Sequence, residues 1–555
     1  MYVFIRKTEL KTWLNRIIAV AGCLAALCSC GKDIPEDIPA AIPPTGYTDL
    51  VRIYRSGIDF ISAEIMDVTT LLTFDGEKLS LRHDKIEVHD DSKTNRPPII
   101  LGEDGYWLVG GKNSGIKSTK GRTLEGSFPV YVYLYDSTLH LFASNGEVAD
   151  FPHKTVPSGP REFTMPIIYI THHSDRVHRS YFIPAEYVIK DPDRAYSDAA
   201  EISGTMQIRG RGQSTWDMPK KPYKLKFDEK SKVLGMRSNK DWILLANYAD
   251  KSLLRNAVAM RLSEICGMSW TPEHVPVEVY LNNSYLGVYD LFEGKEVAQH
   301  KVEIDIAAGD YYLEIEQNDH DFATSKCNVP INFKDPEREE ISDEQARKVQ
   351  DLFNKFESVL YGSGFDDPVV GYAKYIDVQS FIDNYIIEEL AKDIDGNVRK
   401  SSFMTIAAAD GGKIKFCHQW DFDLSFGNAD YFPSQTGDNG DPNGPKGWWI
   451  KDFNTDSWKG PGWYPRLFQD PAFVKKVKAR WNELYPELCT IPDYIEFCKT
   501  ELGDAPSRNF RTWNILRTYV WPNVFVSGTY DQHVQYMSKF YTDRLNWINQ
   551  NILKL

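Results

Sequence analysis

The chain has 555 residues and a mass of 63.6 kDa, too long for one ordinary core, so two or three domains are expected. Hydrophobic residues at 42% and charged residues at 26% exclude wholesale disorder. A formal charge of −14 excludes a general nucleic-acid binder, which needs clustered Lys and Arg; loss of residues 1–29, where Arg6, Lys7, Lys11 and Arg16 outweigh Glu9, would leave −17.

The first thirty residues read as one export signal. A basic stretch leads into the apolar run Ile17–Cys28, too short to span a bilayer but long enough for a signal-peptide core. It ends in Leu27-Cys28-Ser29-Cys30, which resembles the bacterial lipobox, so residues 1–30 are expected to deliver a lipid to Cys30. Residues 31–46, rich in Pro and acids, follow as an extended tether. The expected station is the cell envelope, outer membrane included, facing the periplasm or the cell surface, with the lipid as anchor. Beyond Cys30, the cysteines Cys266, Cys327, Cys417, Cys489 and Cys498 have no CxxC spacing. They are expected to be buried thiols, with Cys489–Cys498 the one conceivable pair.

Residues 47–155 read as short strands separated by glycine turns, a small all-β accessory domain. Alternation on both sides of Asp136-Ser137 predicts a hairpin, and Asp104–Lys117 has the same strand–turn rhythm. From about Met165 the elements lengthen. The segment Gly204–Trp216 predicts a strand ending in glycines. Tyr223, Leu225 and Phe227 alternate with Lys224 and Lys226 as in a half-buried strand. Asp250 is expected to cap a helix that Gly267 closes, and Asn282-Asn283 to turn a hairpin. Beyond Asp343 helices dominate, apart from two strands near residues 402–420.

Two places carry chemistry. Gly210 and Gly212, in the run Ile208–Trp216, let backbone N–H groups approach an anion, with Lys220 and Lys221 close behind. Far downstream, Asp393 and Asp395 follow a helix, and Asp421 and Asp423 follow the next hairpin. Hairpin geometry brings its two ends together, so the four acids are expected to meet. Phosphoryl transfer needs such a set: one carboxylate orients the attacking hydroxyl and another holds Mg²⁺ on the nucleotide phosphates.

Four segments, Arg209–Phe227, Asp241–Asn256, Val277–Glu293 and the pair Leu390–Asp395 with His418–Asn428, resemble in order the motifs of the CotH kinase family over roughly residues 165–555. The resemblance implies an α+β fold in which a two-lobed, atypical protein-kinase-like domain spans residues 160–555, with an N-lobe to about 300 and a C-lobe from 301. It implies that Arg209, Gly210, Gly212 and Ser214 lie in a phosphate-facing loop, that Lys221 or Lys224 reaches the phosphates, and that Glu293 sits at the inter-lobe hinge. Asp395 matches the catalytic aspartate, Asp421 the metal-binding one, and Asp423 is a second possible ligand; the residues alone do not choose among the lysines. The implied cofactors are ATP with Mg²⁺ or Mn²⁺, and the implied acceptor is Ser or Thr of a protein. The pattern departs from ordinary kinases in lacking His-Arg-Asp and in placing Lys400, not Asn, five residues after Asp395, with Asn397 nearby.

Other features read as structural. Asp438–Pro445 is half a calcium loop with Gly440 where a ligand is needed, hence a plain loop. Trp448, Trp449, Trp458 and Trp463 are expected to pack, and His418 to be structural. ATP is scarce outside the cytoplasm, which favours the alternative of an inert kinase-fold adhesin or scaffold binding protein or glycan. A third reading takes Asp421-Phe422-Asp423 as the Asp-x-Asp of a glycosyltransferase, but leaves the other motifs unexplained.

Overall fold

The computed structural model describes residues 165–555 except 193, 194, 198, 397, 433–440 and 453–460, and before them the strands and a few positions between 50 and 151. Cys30 and the tether, Asn397, residues 438–440 and Trp458 lie outside the described residues. The chain divides into two compact units, Met1–Ser158 and Gly159–Leu555.

In the first unit the described elements are short strands, apart from helical positions at Leu50 and Ile53. Phe60–Ile65, Thr69–Phe74 and Glu77–Arg82 form an antiparallel meander. Pro129–Tyr135 and Thr138–Ala143 make the hairpin about Asp136-Ser137, and Glu87–Asp90 adds to it in parallel. Phe60, Leu72, Phe74, Leu79, Val132, Leu141 and Phe151 fill the core.

The second unit is α+β. Seven strands close into a barrel: β1 (Ile167–Thr171), β2 (Ile183–Lys190), β3 (Glu201–Gly210), β4 (Tyr223–Ser231), β5 (Asn239–Leu245), β6 (His274–Leu281) and β7 (Ser284–Glu293). The order is β1-β2-β3-β4-β5-β7-β6, antiparallel throughout until β6 returns parallel to β1. Closure removes both sheet edges. Alternation does the sorting: Tyr223, Leu225 and Phe227 of β4 point inward while Lys226 faces water, as period two requires. Trp242, Tyr289, Leu225 and Val277 are among the side chains that fill the barrel. Asn282 and Asn283 both take positive φ, which turns β6 directly into β7.

Between barrel and C-terminal helices lies α1 (Arg255–Cys266), buried along almost its whole length and closed by Gly267 in the left-handed conformation. It begins later than the sequence suggests. The Asp250 carboxylate accepts the N–H of Ser252 and of Arg255, so residues 250–254 are a bonded turn rather than a first helical turn.

A five-stranded antiparallel sheet follows: β8 (Tyr311–Ile315), β9 (Phe322–Ala323), β10 (Pro330–Asp335), β11 (Ser402–Ala407) and β12 (Lys413–His418), in the order β9-β10-β8-β11-β12. The last two are the expected strands near 402–420. The helices are α2 (Asp343–Leu360), α3 (Val378–Ala391), α4 (Trp463–Leu467), α5 (Pro471–Leu488), α6 (Ile491–Leu502), α7 (Ala505–Thr512) and α8 (Tyr530–Ile552). Helix α3 is buried on every side from Ser380 to Ala391, capped by Asp377 and stopped by Lys392 at positive φ. Cys266, Cys327 and Cys417 are buried thiols, and Cys489 and Cys498 are half-buried thiols, not a disulfide. Among the described residues no helix is long and apolar enough to cross a membrane.

Candidate active site

A narrow cleft of about 20 Å³ opens where the barrel meets the helices, lined by Arg211, Thr215, Lys220, Asn247, Asn256, Asp421 and Asp423 among others. Its roof is the glycine turn after β3. A Cβ on Gly210 would lie 2.1 Å from the Trp216 ring, and Gly212 has φ +82°, so neither position tolerates a side chain without displacement. Arg209 points away, its Nη1 donating to Arg179 O at 3.1 Å with the guanidinium over Phe182. Ser214 is exposed at the start of a single helical turn. Arg211 instead reaches the cleft, its guanidinium 5.9 Å from the Trp420 ring centre and within the field of Asp421.

Of the three lysines near the turn, Lys220 lines the cleft. It is buried, donates to Val288 O and to Asn509 Oδ1 (3.0 Å), and lies 4.6 Å from the Tyr289 ring centre. Burial pulls its ammonium down to about 7, with Asp290 opposing. Asn509 comes from α7, and Gly287 makes room for it, since a Cβ there would lie 2.3 Å from Asn509 Oδ1. Lys221 bonds Trp216 O at 2.5 Å, and Lys224 pairs with Asp241 at 2.9 Å; neither lines the cleft. Glu293 is fully buried and engaged: it accepts from Arg237, Trp270 Nε1 (3.1 Å) and the Glu273 N–H (2.8 Å), with Lys301 at 3.8 Å.

The floor is acidic. Strands β11 and β12 pair as expected, and Ser401 Oγ, just before β11, donates to Asp421 Oδ2 at 3.2 Å just after β12. Asp421 has φ +73°. Phe422, between the two cleft acids, donates its N–H to Asn256 Oδ1 on α1 at 2.9 Å. Past the end of α3, Asp393 Oδ2 accepts the Gly396 N–H at 2.7 Å, and Asp395 lies 3.4 Å from Arg399. The Ser401–Asp421 bond links the chain just after Asp395 to the second acidic segment, and Asp393 and Asp423 each lie within the field of Asp395 and Asp421.

Burial and neighbouring charge push up the carboxyls of Asp393, Asp395, Asp423 and Glu388. Asp393 is raised well above the usual range by burial, then by Glu388, Asp395 and Asp421. Asp423 is raised likewise by burial, then Asp421 and Asp250. Asp395 is raised by burial, with Lys400 and Arg399 pulling the other way. Glu388, at the end of α3, is pushed up to about 8 by burial and by Asp395. Its neighbour Glu389 is pinned by the buried Arg544 and the Trp449 and Ile450 N–H groups, whereas Glu388 Oε2 and Asp393 Oδ1 are buried without a hydrogen-bond partner. Lys295 lies 4.0 Å from the Phe403 ring centre and 4.5 Å from that of Trp420; burial lowers it to about 7.

Among the described residues, no three His, Cys, Asp or Glu side chains converge tightly enough, as they stand, to hold a metal ion. The donor chemistry nonetheless fits a hard divalent cation: Asp421 and Asp423 offer carboxylate oxygens to one cleft, and Glu388 Oε2, Asp393 Oδ1 and Asp395 Oδ1 are buried without a hydrogen-bond partner. His418 is structural, its ring between the Tyr312 hydroxyl (2.7 Å) and Gln419 O (3.1 Å), held neutral as burial depresses it to about 3. Trp449 and Trp463 are buried in the packing. A larger cavity of about 190 Å³ lies beside the floor, lined by Gln317, His320, Asn328 and Arg399 with Trp463 and Tyr464.

A closed barrel with a glycine turn, the half-buried Arg211 and the buried Lys220 stands over carboxylates carried by a hairpin and the segment after α3, within one α+β unit. Residues 208–548 match the family described as CotH kinase protein, and the chain belongs to that family. No curated protein matches the chain.

Proposed function

We propose that this chain is a CotH-type kinase that transfers the γ-phosphoryl group of ATP to Ser or Thr of an exported protein, from a lipid anchor at Cys30. Barrel and helical half would be the two lobes of an atypical kinase-like domain. The observation that carries this reading is one cleft in which Arg211 and Lys220 face Asp421 and Asp423.

In this reading Arg211 and Lys220 bind the nucleotide phosphates from the roof. Asp421 and Asp423 would hold Mg²⁺ or Mn²⁺, which would neutralise phosphate charge when bound. Asp395 orients the acceptor hydroxyl and takes its proton; a carboxyl whose proton affinity burial has raised suits that task. The acceptor oxygen forms the new bond to phosphorus, the bond from the γ-phosphorus to its bridging oxygen breaks, and ADP leaves.

The test is thermal unfolding with Mg²⁺ or Mn²⁺, with and without ATP, beside Asp421→Asn. Ligand at about a hundred times its dissociation constant adds about 2.7 kcal/mol. A shift that needs metal and vanishes in Asp421→Asn is expected. No shift with any nucleotide would overturn the kinase reading and leave an inert adhesin or scaffold.

A further inference from the structure

The cavity of about 190 Å³ beside the floor has no part in the reaction proposed above. One water needs roughly 15 Å³ by such a measure, so a small organic molecule fits. The walls are tied in place. Glu357 of α2, fully buried, accepts the Trp463 Nε1–H at 2.8 Å and the Cys327 N–H at 3.0 Å, and both residues line the cavity. The Tyr361 hydroxyl donates to Gly462 O at 2.6 Å, which anchors the start of α4. Ala323, Val329 and Val398 make the lining largely apolar, with Gln317, His320, Asn328 and Arg399 as its polar groups. Among the described residues that line it none is acidic, while Arg399 brings a full positive charge. Arg399 Nε donates to Gln317 Oε1 at 2.8 Å, which sets the plane of the guanidinium, and Nη1 lies 3.4 Å from Asp395 Oδ1.

We infer that this cavity binds a small carboxylic acid with an apolar body, its carboxylate on Arg399, and that the ligand competes with Asp395 for that guanidinium. The binding stands on the cavity alone; its consequence for transfer rests on the kinase reading above. Charge complementarity selects the head group. A guanidinium presents N–H donors in a planar fork that matches the two oxygens of a carboxylate, whereas an ammonium ligand would meet repulsion. The apolar body displaces water from Ala323, Val329, Val398 and the Trp463 ring, which favours binding. Because Glu357 already holds the walls, little order has to be created on binding. Occupancy reaches the floor through Arg399. A carboxylate that takes the guanidinium loosens its hold on Asp395, the acid that would orient the acceptor hydroxyl, so transfer slows. Linkage makes the effect reciprocal: removing the Asp395 charge must tighten the ligand.

The experiment is a titration of the purified full chain followed by ligand-observed NMR, in chelator and without nucleotide. The probes are phenylacetate, its neutral amide phenylacetamide and the cationic phenethylamine. Phenylacetate is expected to bind about tenfold tighter than phenylacetamide, with phenethylamine the weakest. Arg399→Gln should bring phenylacetate and phenylacetamide to within about twofold of each other, whereas Arg399→Lys should retain part of the preference. The ratio of two ligands is read on one protein, so a general loosening of the fold does not imitate the result. Ala323→Leu, which fills the cavity and leaves its charge alone, should weaken both probes. Asp395→Asn should tighten phenylacetate about threefold and leave phenylacetamide unchanged. Binding of none of the probes, equal binding of acid and amide, or a preference indifferent to Arg399→Gln would overturn the site. An unchanged phenylacetate affinity in Asp395→Asn would overturn the competition for Arg399. Phenylacetate binding by a chain that no nucleotide stabilises would keep the site and sink the kinase reading; the reverse result would sink only the site.

Discussion

Phe422 donates its backbone N–H to Asn256 Oδ1 at 2.9 Å, and this bond fixes where Asp421 and Asp423 stand. Asn256 belongs to α1, and its Nδ2 reaches Asn247 Oδ1 at 3.3 Å; Asn247 in turn donates to Asp290 Oδ2 of β7 at 2.7 Å. A strand of the barrel is thereby joined through a buried helix to the acidic loop. Asn256→Leu leaves the buried Phe422 N–H and Asn247 carbonyl oxygen unsatisfied, at a cost of about 1–3 kcal/mol. Urea unfolding should show that loss, and metal-dependent stabilisation by ATP should weaken with it.

Lys220, not its neighbours, is the lysine of the cleft. Lys220→Met should abolish stabilisation by nucleotide, while Lys221→Met and Lys224→Met should leave it within about twofold in apparent affinity. Thermal shifts of the three variants over an ATP titration check this. Lys220→Met also strands Val288 O, while Asn509 Oδ1 keeps the Val288 N–H, so it should lower stability by about 1–3 kcal/mol without ligand. A Lys221→Met variant that alone lost the nucleotide response would reverse the assignment.

Legibility in the sequence followed the reach of the interaction. Period-two alternation announced β4, and the Asn282-Asn283 turn announced the β6–β7 hairpin, because both are local. The two strands near residues 402–420 were legible, and the pairing of β11 with β12 sets Asp421 beside Ser401. Lys220 was not legible, since Pro222 interrupts the alternation that would have sorted the lysines. What holds Lys220 is Asn509, which arrives from α7 near the far end of the chain. Asn247 and Asn256 were silent for the same reason. Strands β8–β10 are only five, two and six residues long, too short for periodicity to mark them off from the loops between them. Glu388 did leave a trace: an acid inside the apolar run of a helix buried on all sides has nowhere to go but inward.

Glu293 shows how a residue at a motif position can serve the fold. Its buried carboxylate gathers Arg237, Lys301, Trp270 Nε1 and the Glu273 N–H where β7 leaves the barrel. Glu293→Gln removes the charge that Arg237 and Lys301 answer, and should cost about 3–5 kcal/mol. The drop in Tm should be the same with and without ATP. A variant of normal stability that had lost nucleotide binding would instead give Glu293 a direct role.

Glu388 makes stability depend on pH in a direction opposite to the usual salt-bridged acid. Its ordinary value is 4.5 and its folded value about 8, so between them the native state holds a proton that the unfolded chain has released. Stability therefore falls as pH rises through this window, by at most about 1.4 kcal/mol per pH unit. Glu388→Gln removes that slope. Between pH 6 and pH 8, in chelator, the variant should gain about 1–3 kcal/mol on the parent chain by urea unfolding. Parallel profiles for the two proteins would show that Glu388 is already ionised in the fold.

Asp395 separates binding from chemistry. It is absent from the lining of the cleft, which Asp421 and Asp423 share with Arg211 and Lys220, yet it couples electrostatically to Asp421. An acid in that place can act on an approaching hydroxyl while the phosphates stay with the cleft residues. Asp395→Asn keeps the shape and removes the proton acceptor. Loss of transfer by at least about a hundredfold is expected, the lower end of what a general base supplies. Stabilisation by ATP and metal should persist, because repulsion within the carboxylate floor falls by one charge. Transfer that survived Asp395→Asn, measured with labelled ATP and an acceptor the parent chain modifies, would move the base to another residue of the floor.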